Sequence, residues 1–355
     1  MPILQADDIA DLITTTQRNL GEMKWTDLSF TLQEHIALPQ LLNKYKVSFN
    51  SGTGIQWNLM VGTTGATKET GLYATDSVNV SDVMITANIP WRHITTSYAV
   101  ERREIAINRS PAQIVDLVKI RRHDAMVDMA TFMETRFWRR PASSSDTQAI
   151  FGVPYWLTWT DNSSASPDGG FDGGNPTGFS SGAGNVDSTV YTNWRNWCGK
   201  YTSVSKDDLI QKWRKASTFT NFKPPVVAPD YNTGNSYGYY TNYNVIGQLE
   251  RVLESQNDNL GNDVASKDGR VTFRQVPVTW CPHLEGRAGD PVYGINWGSY
   301  KPVFLSGEYM REEGPTKASN QHTVFVTHVD TTMNLQCTNR RVNFVLATAS
   351  PDVSA

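Results

Sequence analysis

The chain has 355 residues, enough for two or three structural units around a real core. Its 32 Lys and Arg against 35 Asp and Glu leave a net charge of −3, which argues against a protein that grips nucleic acid through an overall basic excess. Cys198, Cys281 and Cys337 are odd in number, far apart and in no metal-ligand spacing, so they read as reduced, buried thiols. The first residues lack the basic and apolar regions of a signal peptide, and no window approaches the roughly 18 uninterrupted apolar residues of a membrane span.

Residues 1–49 read as an arm, with a short helix expected over Asp8–Leu20 and Gly21 as its stop. A long two-armed β segment follows over about 50–100. Ile55, Trp57, Leu59 and Val61 alternate on one arm, and Val83, Ile85, Ala87, Ile89 and Trp91 on the other. Between them lies a Gly/Thr-rich tip carrying Lys68 and Glu69. An isolated hairpin is marginal in water, so these aromatics need a surface to lean on, and a neighbouring subunit is the economical choice.

Ser110-Pro111-Ala112-Gln113 then opens a helix, with an N-cap serine, a proline at the first helical position and a glutamine placed to close a capping box. Ile114, Leu117, Val118, Ala125, Met129, Phe132, Met133 and Phe137 keep the helical period until Pro141. The helix, 111–138, should be roughly 42 Å long. Lys119, Arg121, Arg122, Arg136, Arg139 and Arg140 alternate along it with Asp116, Asp124, Asp128 and Glu134, as on a solvated or subunit-facing surface.

Residues 161–189 hold seven glycines and no Lys or Arg, the composition of a surface loop. In the αβ section after it, Ser205–Asp208 caps a helix with Leu209, Ile210, Trp213, Ala216 and Phe219 inward. Val245, Ile246, Leu249, Val252 and Leu253 mark another helix. Val271, Phe273, Val276, Val278 and Trp280 read as one strand whose phase slips at Gln275, as at a bulge. The last part, through Val303–Leu305, His322–Val329 and Val342–Leu346, is β again. The order arm, hairpin, long helix, αβ block and β tail gives an α+β class.

No catalytic constellation stands out. Gly178-Phe179-Ser180-Ser181-Gly182 fits the nucleophile-elbow pattern, but it lies in a Gly/Ser loop without the strand and helix that the motif requires. His322 and His328 share a strand face at roughly 20 Å, too far to share a metal. Cys281-Pro282-His283 lacks the second half of any zinc pattern. Lys68 follows threonine where a phosphate loop requires glycine. Tyr237–Tyr243 suits a core strand better than a stacking platform for sugars or bases.

Several phrases are similar to those of the major capsid proteins of tailed bacteriophages and prophages, with the Hong Kong 97-type fold. They are Tyr240-Thr241-Asn242-Tyr243 leading into Leu249–Asp263, Val271–Val278, Ser205–Leu209 with Lys212–Ala216, and Asn193–Trp197. The resemblance implies an N-terminal arm at 1–49 and an extended loop at 50–105. It implies a peripheral domain from 106–160 and 300–355 around the spine helix 111–138, a surface loop at 161–189 and an axial domain at 190–299. Trp57, Leu59, Lys68, Glu69, Trp91, Arg102, Arg103, Arg121 and Arg122 are then expected at subunit contacts.

The implied role is structural and non-enzymatic, without a cofactor. Hexamers and pentamers would form an icosahedral shell around double-stranded DNA, bound without sequence specificity, with scaffolding and portal proteins as partners. The location implied is the virion, assembled in the bacterial host cytoplasm. Some members of the family join a loop lysine to a neighbour's asparagine. Lys68 would be the nucleophile and Asn320, Asn334, Asn339 or Asn343 the partner, but none matches a reactive-site pattern, so a non-covalent shell is expected. The alternative drawn from the 11 Trp and 14 Tyr is a carbohydrate-binding or carbohydrate-active β-rich protein.

Overall fold

The computed structural model describes residues 35–44, 46–50, 52–63, 65, 67–72, 83–107, 111–159, 169–222, 237–254, 271–319 and 321–351. The helix expected over Asp8–Leu20 and the cap at Ser110 lie outside the described residues.

The described chain runs α1 (Ala37–Lys44), β1 (Val47–Phe49), β2 (Gly54–Met60), β3 (Met84–Pro90), β4 (Arg92–Glu101), α2 (Arg102–Ile107), α3 (Pro111–Phe137) and α4 (Val153–Trp156). It continues with β5 (Gly170–Gly173), β6 (Asn196–Lys200), α5 (Leu209–Phe219), β7 (Tyr237–Thr241), α6 (Tyr243–Glu254), β8 (Thr272–Phe273) and β9 (Val276–Trp280). The last strands are β10 (Val292–Asn296), β11 (Tyr300–Leu305), β12 (Arg311–Ala318), β13 (Gln321–Cys337) and β14 (Phe344–Ala347).

These strands build three sheets. One is five-stranded, β1-β11-β13-β12 with β4 paired to β13; one is seven-stranded, β5-β6-β14-β10-β7-β9-β8; the third is the two-stranded β2–β3 hairpin. The α+β class therefore holds. The hairpin is shorter than the sequence implied. Ten residues of β4 are antiparallel to β13, from Arg92 opposite Met333 to Glu101 opposite Val324, so 92–101 belongs to the five-stranded sheet. Alternation alone cannot tell a strand's free arm from its paired continuation, because both have period two. β1, read as arm, pairs in parallel with β11. β14, grouped with the β tail, instead inserts between β6 and β10 of the other sheet.

The 27-residue helix α3, about 40 Å long, matches its expected span. Ala125, Met129, Met133 and Phe137 form its buried row at intervals of four, whereas Phe132 is 42% exposed. Trp138, at its end, is fully buried and meets Tyr240, Tyr293 and Trp297 edge-on, with centroids 5.6, 6.2 and 6.4 Å away. The helix thus plugs its last turn into the base of the seven-stranded sheet.

Both faces of that sheet are covered, and the two-residue period sorts the side chains. Tyr239, Val292, Phe344 and Leu346 pack with Leu209, Trp213 and Ala216 of α5 and Val245 and Leu249 of α6. Their neighbours Tyr240, Tyr293, Val345 and Ala347 join the main core on the other face. The bulge expected at Gln275 is a tight turn between β8 and β9: Arg274 and Gln275 take φ of 47° and 67°, as a type I′ hairpin requires.

Candidate assembly surfaces

The β2–β3 hairpin pairs Trp57 with Ala87, Leu59 with Ile85 and Met60 with Met84. Ile55, Leu59, Ala87 and Ile89 are buried against the rest of the same chain. Trp57 meets Trp156 edge-on at 6.1 Å. The loop around Gly184 cradles this base: Asn88 N–H donates to the Gly184 carbonyl (2.9 Å), and Asn193 Nδ2 donates to the Val61 carbonyl (3.0 Å). Gly184 has φ +67°, and a Cβ there would sit 3.3 Å from Trp156 and 3.5 Å from Trp57.

The surface on which Trp57 and Leu59 lean is therefore intramolecular, contrary to the expectation of a neighbouring subunit. Trp91, half-buried, donates its Nε1–H to the Gly52 carbonyl at 2.9 Å. The outer hairpin is what stays open. Met60 is 70%, Met84 54% and Leu72 94% exposed, and Lys68 and Glu69 are exposed beside them.

The Gly-rich segment corrects a second expectation. Residues 161–168 lie outside the described residues, but 169–189 is no projecting loop. Phe179, Ala183, Val186 and Ser188 are buried, and Asn175 ties the segment to Asp187 and Ser188. Gly173 is buried as well, and a Cβ there would overlap Asn196 at 2.1 Å. The glycines serve close approach and turns inside the fold, a use that composition cannot distinguish from solvation.

Arg102 and Arg103 are exposed on α2, with Arg103 Nε 3.8 Å from Glu101. Arg121 pairs with the buried Glu104 at 2.8 Å and donates to the Ala99 carbonyl, which locks α3 to the end of β4. Arg122 pairs with Glu312 of β12 at 2.6 Å. These two arginines hold the five-stranded sheet to the long helix.

Two fully buried charges escaped the sequence reading. Glu134, taken for a surface residue, is fully buried and receives the first turn of α1: its carboxylate accepts from the Ile36, Ala37 and Leu38 N–H groups at 3.0, 2.9 and 2.7 Å. It also accepts from Trp138 Nε1 at 2.8 Å. A carboxylate at a helix N-terminus meets unpaired N–H groups and the positive end of the dipole together. Arg340, also fully buried, donates to the carbonyls of Trp156, Trp194 and Gly174, to Thr158 Oγ1 and to Asn196 Oδ1. Burial lowers its pKa to about 10, and its five acceptors join α4, β5 and β6 at one point. Glu134 had one sequence signal, its four-residue spacing to Trp138; Arg340 had none.

The candidate chemistry stays unassembled. Ser180 lines an open cleft of about 620 Å³ with Asn175, Thr177, Phe179 and Asp187, and no histidine lines it. Hydrogen bonds from Asn175 and Thr189 hold Asp187 below the ordinary carboxylate range. The three cysteines are buried thiols outside any disulfide, and among the described residues no cluster of His, Cys, Asp and Glu is arranged to hold a metal. Asn334 and Asn343 are fully buried; Asn334 accepts from the Phe151 N–H and donates to the Pro90 carbonyl. Asn320 lies outside the described residues. Trp156, Trp213, Tyr239 and Tyr240, part of the aromatic content behind the sugar-binding reading, are core side chains.

Compared by sequence, the chain matches no family model and no curated protein. Compared by structure, it is similar to a chain of the cyanophage A-1(L) capsid asymmetric unit, with a TM-score of 0.58 at 13% identity, over 96% of this chain and 99% of that one. A capsid chain of a native GTA particle matches with a TM-score of 0.55 at 11% identity, over 93% and 96%. A chain from Gordonia phage Cozz gives 0.50 at 11% identity, over 93% and 90%. The two sheets, the long helix and the outlying hairpin therefore make up the Hong Kong 97-type fold of phage capsid subunits.

Proposed function

We propose that this protein is the major capsid protein of a tailed phage, a structural and non-enzymatic subunit that assembles into a closed shell around double-stranded DNA. The observation that carries the reading is the end-to-end likeness to subunits of phage capsids, which leaves no large part of the chain for another activity. In this reading the five-stranded sheet with α3 is the peripheral domain, and the seven-stranded sheet with α5 and α6 is the axial domain. The hairpin is the extended loop. Because its base is anchored in its own subunit, the contact with a neighbour falls to the outer part: Met60, Met84, Leu72, Lys68 and Glu69, with Arg102 and Arg103 nearby in the chain. Copies meet as hexamers and pentamers, scaffolding and portal proteins take part in assembly, and the product resides in the virion after assembly in the host cytoplasm.

Negative-stain electron microscopy of the expressed protein, alone and with candidate scaffolding proteins, tests the reading. Closed shells are expected, and only small oligomers under every condition would refute it. Met60→Ser with Leu72→Ser should leave the melting temperature of the subunit unchanged and reduce the yield of shells. Boiling the particles in detergent should release a single band near 39.6 kDa; a ladder of larger species would contradict a non-covalent shell.

A further inference from the structure

We propose that the outer face of α5, together with the β8–β9 turn, is a phosphate-binding surface that takes the backbone of a nucleic acid. The sequence of α5, LIQKWRKASTF, carries three cations and no acid. Leu209, Trp213 and Ala216 turn inward, so Gln211, Arg214, Lys215 and Thr218 share the exposed side. Lys212 is neutralised by Asp208 at 2.7 Å. Among the described residues, Arg214 and Lys215 have no such carboxylate partner.

A third cation is fixed beside them. Arg274 stands in the type I′ turn at φ 47°, and its guanidinium donates to Thr218 Oγ1 (2.8 Å), Ser217 Oγ (3.3 Å) and the Arg214 carbonyl (3.3 Å). Towards the sheet edge, Lys215 Nζ lies 5.8 Å over the Trp197 ring, and Phe219 stacks on Trp197 at 5.3 Å while staying 54% exposed. Arg341 lies 4.4 Å over Phe171. Ring faces hold cations in place without neutralising them. Among the described residues, none of Arg214, Lys215, Arg274 and Arg341 forms an ion pair.

Unneutralised cations along a helix of about 16 Å suit an extended polyanion better than a single small anion. Duplex DNA, with one charge per about 1.7 Å of axis, presents that pattern. The surface is local, so it is compatible with a net charge of −3. It also stands independently of shell assembly, because an unassembled subunit displays it.

Fluorescence anisotropy with the purified full-length subunit and a fluorescein-labelled 30-base-pair duplex, between 50 and 300 mM salt, tests the inference. Binding should weaken with salt with a log–log slope of roughly −3, as three or four phosphate contacts require. Arg214→Gln with Lys215→Gln should flatten the slope by about two units and reduce affinity at 50 mM salt tenfold or more. Arg214→Lys should retain both. Arg103→Gln on α2 with Arg311→Gln on β12, away from this face, should change nothing. An unchanged slope in the double variant overturns the proposal. So does displacement of the duplex by polyglutamate as readily as by unlabelled duplex, which would assign the face to an acidic protein segment.

Discussion

Replacing Glu134 should detach α1 in a graded way. The eight-residue helix Ala37–Lys44 is too short to persist in water by itself. Its hold on α3 depends on the four donors that converge on one carboxylate: Ile36, Ala37 and Leu38 N–H and Trp138 Nε1. Oε1 takes three of them and Oε2 takes Leu38 alone. Glu134→Gln can keep its oxygen at the three-donor position but turns an amide N–H₂ towards Leu38 N–H. That loses one charge-assisted bond, about 1.5–3 kcal/mol. Glu134→Ala removes every acceptor from a buried site and should cost about 3–5 kcal/mol. At 1.4 kcal/mol per factor of ten, amide hydrogen exchange over 36–42 should accelerate about 10-fold to 100-fold in the first variant and about 100-fold to 4,000-fold in the second. Mass-spectrometric exchange on the full-length protein reads this directly, with the β10–β14 peptides as the internal control. Equal effects of Gln and Ala, or unchanged exchange over 36–42 in the alanine variant, would refute the account.

Arg340→Lys should destabilise by several kcal/mol despite conserving charge, because an ammonium cannot reach acceptors spread over α4, β5 and β6; a thermal melt within about 2 °C of wild type contradicts this. Asp208 gives a pH signature. Burial raises its pKa, but the Lys212 pair and the Thr202 and Ser203 N–H groups outweigh burial and hold it below the ordinary carboxylate value. A depressed folded-state pKa stabilises above the unfolded value near 3.9 and loses that stability as pH falls. Asp208→Asn should therefore be less stable than wild type at pH 7, with the gap narrowing only once the pH falls below the unfolded value near 3.9; a gap independent of pH would exclude this origin. Burial pushes the Cys337 thiol up to about 12, so Ellman's reagent should find no reactive thiol in the folded subunit at pH 8 and three after unfolding.

What could be read from the sequence follows from the range of each interaction. The long helix and the two arms of the β2–β3 hairpin were legible because their signals are local: a 3.6-residue or two-residue period between recognisable breakers. The path of β4 and β14 was not, since pairing with β13, or insertion between β6 and β10, depends on partners 100 or more residues away in the chain for β6 and β4. Glu134 and Arg340 look in sequence like any other charge on a polar stretch. Only the fold reveals that one meets a helix terminus and the other a ring of carbonyls. The Gly-rich segment misled for a related reason, since glycine marks both solvated chain and the closest packing.

The position of β14 bears on how the subunit is made. This four-residue strand lies inside the seven-stranded sheet, with β6 on one side and β10 on the other, yet residues 344–347 are synthesised after both of these partners. Until they arrive, β6 and β10 have no partner on the edges that β14 will occupy, and Phe344 and Leu346 are missing from beneath α5 and α6. Closure of that sheet therefore waits for 344–347, and long-range strand pairing makes it slow and prone to chaperone capture. A chain truncated by even ten residues before 348 would keep its hairpin and long helix while lacking a closed sheet. A chain that stops short of 344–347 therefore cannot adopt the native subunit shape.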